Sequence, residues 1–185
     1  MKRIECQCET LAGDLDGVGV DICGSGPVTA NYTGGHVLDD DDALCYIIHN
    51  GDNIPLASNP DEPTFSYQPA NMTYGQTYFI CAVAGNDNGS GCVNANDPCY
   101  SISNICSEVR FHEIPTAAIS GGGTVCVGET IDLTFTMTGV PPFVIEYEDV
   151  AAGATFMEVT DQNVHTITLT PVDGTTYNLV SLQDA

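Results

Sequence analysis

Apolar and polar positions alternate in short runs along the whole chain. After Cys23, the residues at +5, +7 and +9 are Val28, Ala30 and Tyr32; after Cys126, the same offsets carry Ile131, Leu133 and Phe135. A period of two is the mark of a strand with one buried face. Read this way, the first part of the chain predicts strands near 27–33, 43–49, 63–68, 76–84 and 99–111, with a leading strand within 4–22. The second part predicts strands near 116–120, 130–138, 143–149, 154–159, 164–170 and 175–182. Gly, Pro, Asn and Asp separate the runs, and no apolar spacing suited to a helix persists over a dozen residues. The class is therefore all-β, with sandwich cadence.

The two parts repeat each other. "FSYQP" (65–69) corresponds to "ITLTP" (167–171), and "GQTYFICAV" (75–83) to "GTTYNLVSL" (174–182), in the order set by Cys23 and Cys126. Tandem domains follow, 1–113 and 114–185, with Pro115 interrupting pairing at the boundary. In the first copy, a Gly/Asn-rich turn, Cys92 and a last strand come after "TYFICAV"; in the second, Ala185 follows the matching strand directly. The second domain is thus expected to lack its last strand. Two explanations stand: truncation of a longer chain, or strand donation by a neighbouring subunit at the open edge.

Nine cysteines change the picture of the environment. The four histidines are scattered and no paired CxxC motifs occur, so disulfides rather than a zinc array are expected, in an oxidising, extracellular setting. Cys23–Cys92 and Cys45–Cys81 are the expected pairs, with Cys6, Cys8, Cys99 and Cys106 forming two more. Cys126 is the odd one, its partner expected beyond Ala185.

Charge excludes some partners. Asp and Glu number 25 against three Lys and Arg, a formal charge of −22, and Arg110 is the only Lys or Arg after residue 3. Such a surface repels phosphate backbones and anionic lipid, so nucleic acid is excluded as a partner. No segment is long and apolar enough for membrane insertion as a helix. Divalent cations suit it better. "GDLDGVGVD" offers Asp14, Asp16 and Asp21 as calcium ligands, and "GNDNGSGCVNANDPC" offers Asp87 and Asp97. The competing reading for each is an acidic or Asx turn, and "DDDD" (39–42) reads as a solvated loop beside a strand. No cofactor other than Ca²⁺ is suggested. His49, beside "NGD", has no evident Ser or Cys/Asp catalytic constellation around it, and no hydrolase motif is present, so an enzyme is not expected.

The block from "DDDDALCYIIHNGD" through "GQTYFICAVAGNDNGSGCVNANDPCYSIS" resembles a module of very large Bacteroidota surface proteins. These are adhesin-type, gliding-motility-associated proteins exported by the type IX system. "PTAAISGGGTVCVGETIDLTFTMTGVPPFVIEY" and "TYNLVSLQDA" resemble the immunoglobulin-like repeats that accompany it. The resemblance implies tandem immunoglobulin-like β-sandwiches in a secreted, cell-surface, filament-forming or adhesive protein, whose partners are neighbouring domains or subunits. The alternative is a secreted sandwich module that binds a glycan or protein through its loops.

Overall fold

The computed structural model describes residues 8–126, 128–172 and 174–185. It is all-β, and its contacts divide it into two compact units, Met1–His112 and Glu113–Ala185.

The first unit holds β1 (Asp14–Leu15), β2 (Val20–Cys23), β3 (Pro27–Thr29), β4 (Tyr32–Gly34), β5 (Asp42–His49), β6 (Ala57–Asn59), β7 (Thr64–Ser66), β8 (Thr77–Asn86), β9 (Ser101–Ile102) and β10 (Ser107–His112). One sheet runs β2-β10-β8-β5-β6, with β9 also on β8. Two small sheets, β1-β4 and β3-β7, contribute Leu15, Val28 and Phe65 to the main core. That core is closed from the large sheet by Tyr46, Ile48, Tyr78, Ile80, Val109 and Phe111. The expected 27–33 strand is split after Thr29, and its halves join different small sheets.

β5 and β8 are buried on both faces. Their inward residues meet the main core, while Cys45, Ile47, Cys81, Val83 and Cys92 form a second cluster on the reverse side. The loop after β8 covers that side. Gly85 is placed where it must be: a Cβ there would lie 2.7 Å from Val93 Cγ1, at φ +157°. Burial on both faces explains why "LCYII" and "YFICAVA" read as near-continuous apolar runs rather than clean alternations.

Three disulfides staple this unit: Cys8–Cys99, Cys45–Cys92 and Cys81–Cys106, with Cα separations of 5.3, 5.1 and 4.7 Å. Two expected pairings are overturned. Cys45 faces Val83 and Cys81 faces Ile47 across the β5–β8 ladder. The two residues are diagonal neighbours, with Cα atoms roughly 7–8 Å apart by ladder geometry, beyond the usual reach of a disulfide. Each instead reaches up to the covering segment. Cys23, expected to hold Cys92, is exposed and free at the end of β2, and Cys106 pairs with Cys81 rather than with Cys6, Cys8 or Cys99. Cys6 lies outside the described residues. Cys126 is exposed and free.

The second unit holds β11 (Thr116–Gly121), β12 (Ile131–Thr138), β13 (Phe143–Asp149), β14 (Ala154–Thr160), β15 (Val164–Leu169) and β16 (Tyr177–Gln183). Sheets β11-β12-β15 and β14-β13-β16 enclose Phe135, Met137, Phe143, Ile145 and Tyr147. Here alternation is clean, because each strand has one buried face. The repeat seen in sequence persists in the pairing: β3 with β7 matches β12 with β15, and β5 with β8 matches β13 with β16. In the first unit, β8 is also flanked by β10. The corresponding edge of β16 carries no strand among the described residues.

Candidate functional site

The acidic residues proposed as calcium ligands are engaged singly. Asp14 Oδ1 accepts the N–H groups of Asn104 and Ile105 at 2.8 and 2.9 Å. Asp16 Oδ1 accepts from Val18 N–H at 3.0 Å and from the Ser107 hydroxyl at 3.1 Å. The Val18 bond is the chief reason its carboxyl is held below the ordinary 3.8. Asp21 Oδ1 meets His112 Nε2 at 2.6 Å. Asp87 Oδ1 accepts from Gly89 and Gly91, and Asp97 Oδ1 from Cys99, as Asx turns do. The structure does not gather these carboxylates in threes. Among the described residues, Asp39, Asp41 and Asp42 do converge. Asp39 is raised, mainly because it shares a hydrogen bond with Asp41. Asp42 Oδ2 accepts from Thr10 Oγ1 at 2.6 Å, while its Oδ1 is buried without a partner.

The chemically richest constellation lies on the reverse side of the large sheet. Alternation along β5 points Cys45, Ile47 and His49 the same way, toward the second cluster. His49 is buried, stacks on Phe79 at 5.6 Å between ring centroids, and places Nε2 3.1 Å from Cys81 Sγ. Its Nδ1 accepts the N–H of Gly51 at 3.0 Å and of Asn53 at 3.4 Å. Asn53 sits at φ +60°, a left-handed conformation that Asn tolerates. Burial holds the imidazole below the usual histidine range. A neutral ring that accepts at Nδ1 carries its proton on Nε2. That proton points at sulfur.

His49, Cys81 and Cys106 bring one ligand atom each within 4.8 Å of one another. They are nevertheless a poor metal centre. The sulfurs are joined to each other, and metal binding at Nε2 would move the ring proton to Nδ1, against two backbone N–H donors. What the group does offer is a hydrogen-bond donor fixed on one sulfur of a disulfide. A cavity of about 330 Å³ opens beside it, lined by His49, Asn53, Phe79, Ile102, Asn104 and Cys106 among others. The sequence alone gave His49 no chemical role because the sulfur it meets, on Cys81, lies 32 residues away. The signal was there: the period of two that buries Cys45 and Ile47 also turns His49 to the same face.

Tyr78 behaves as a corner residue. Its hydroxyl accepts the Thr73 N–H at 2.6 Å, five residues upstream, with the ring in the main core.

No family model matches the chain, and no curated protein matches it. Among solved structures, it is similar to the FN1–FN3 domains of chicken CNTN1, at 15% identity and a TM-score of 0.32. The match covers 97% of this chain, which spans 63% of that one.

Proposed function

We propose that this chain is an extracellular structural and adhesive repeat unit of a large bacterial surface protein or filament, of the kind the Bacteroidota resemblance implies. The observation that carries this reading is the Cys8–Cys99 bond, which closes a loop with a sequence separation of 91. Tension entering the first unit from either end crosses that bond and bypasses the strands between. A sandwich with central strands covered on both faces is thereby kept folded under pull. Three disulfides fit export to an oxidising space. Partners in this reading are neighbouring domains and subunits, with the unpaired edge of β16 as a place for a donated strand.

Immunogold labelling and negative-stain imaging of intact source cells test it. Label on extended surface fibres is the expected outcome. Label confined to the cell interior, or discrete monomers showing saturable glycan binding, overturns it in favour of another role.

A further inference from the structure

The three disulfides are not chemically equivalent. Cys45 and Cys92 are both buried, and Cys8 is exposed with no imidazole contact among the described residues. Cys81–Cys106 is asymmetric. Cys81 is completely buried within β8, whereas Cys106 is only partly buried and lines the 330 Å³ cavity. A thiolate arriving through that cavity therefore meets Cys106.

For exchange to proceed, the other sulfur must leave as an anion. A thiolate released among Ile47, Val83 and Phe79 is strongly disfavoured unless something donates to it. The donor is in place: the protonated Nε2 of His49, 3.1 Å from Cys81 Sγ and locked by the Gly51 and Asn53 bonds to Nδ1. Stabilising the leaving thiolate lowers its basicity, and exchange is faster from less basic leaving thiols.

We propose that Cys81–Cys106 is an exchangeable disulfide and Cys106 a site of S-thiolation by small-molecule thiols, with His49 as the positioning residue that holds the departing Cys81 thiolate. The incoming thiolate sulfur bonds to Cys106 Sγ as the Cys81–Cys106 bond breaks. The electron pair of that bond leaves on Cys81 Sγ, which accepts the Nε2–H hydrogen bond, and no oxidant or reductant is consumed. The reverse attack of Cys81 on the mixed disulfide expels the small thiol and restores the staple. In the open state β8 loses its covalent tie to the segment between β9 and β10, while its pairing with both strands and the Ser103 hydrogen bonds with Ala82 still hold the segment in place.

The test uses the folded chain with cysteamine, under non-denaturing conditions. Timed samples are quenched with iodoacetamide and mapped by peptide mass spectrometry. The expected first product carries cysteamine on Cys106 and the alkyl group on Cys81, with Cys45–Cys92 intact. His49→Phe slows Cys81 release about tenfold, the loss of one hydrogen bond to a charged group. Opening of Cys8–Cys99 keeps its rate, and His49→Gln, which still offers an N–H, recovers most of the loss. Cysteamine found on Cys81, opening only together with Cys45–Cys92, or equal rates in the wild type and both variants overturns the proposal. The adduct position is read on the wild-type chain and needs no variant to fold.

Discussion

The hydroxyl of Tyr78 accepts the backbone N–H of Thr73 at 2.6 Å, while its ring is 1% exposed at the centre of the first unit's core. One side chain thus fixes the entry of β8 and fills the space beneath it. Tyr78→Phe keeps the ring and strands a partly buried donor, a loss of about 1–2 kcal/mol. Tyr78→Ala also empties the core and costs about 3–5 kcal/mol. Urea unfolding of the two variants separates these contributions, and similar losses in both would show that the ring matters little.

The Cys8–Cys99 loop makes a mechanical prediction. Pulled from its ends with disulfides intact, the first unit lengthens only by the residues outside the loop. After reduction of all three bonds the enclosed residues, a separation of 91, are released. The added contour length is on the order of 300 Å at the reach of an extended chain. Single-molecule force spectroscopy with and without reductant reads the difference. Equal contour gains in both conditions would contradict the staple.

Acid acts differently on the two units. In the first, burial favours neutral His49, while the unfolded chain takes up a proton below about pH 6.5. Its stabilising effect is full above that pH and is lost as pH falls toward the depressed folded value. Asp149 of the second unit is held low by the Thr175 hydroxyl, so its contribution persists until pH falls below about 3.8. Calorimetry at pH 7.5 and pH 5.0 should show the first unit weakened more than the second, with His49→Phe abolishing the excess. An identical response in wild type and variant would remove His49 as the cause.

With a formal charge of −22 and no Lys or Arg after Arg110, self-repulsion opposes the folded state throughout. Raising sodium chloride from about 0.01 to 0.15 M shortens the screening length from roughly 30 to 8 Å. Both melting transitions should rise over that range. A fall in either would mean that favourable ion pairs outweigh the repulsion there.

Most of the strand map was legible in the sequence, and the reason is local. Alternation such as Ile131, Leu133, Phe135 reports one buried face directly, so the second unit's strands fall close to where the pattern puts them. The first unit was harder. Apolar runs in β5 and β8 conceal which face each residue serves until the covering loop is known, and cysteine pairing depends on register to the residue. Cys81 lies two positions from Val83, the residue that faces Cys45, and that offset replaces the expected Cys45–Cys81 with Cys45–Cys92 and Cys81–Cys106. Short β6 was not foreseen, because "ASN" carries no apolar signal. The acidic candidates failed to converge because Asp14, Asp16, Asp87 and Asp97 each serve neighbouring N–H groups, which composition alone cannot distinguish from ligation.

The flank of β16, which carries no strand among the described residues, also governs how the molecule behaves in bulk solution. An unpaired ladder of N–H and C=O groups invites another strand, and at neutral pH electrostatic repulsion keeps copies apart. Near the isoelectric point of about 4.1 that protection vanishes. Mild acid therefore turns a colloidally stable protein into a sticky one, so handling and crystallisation belong well above that pH.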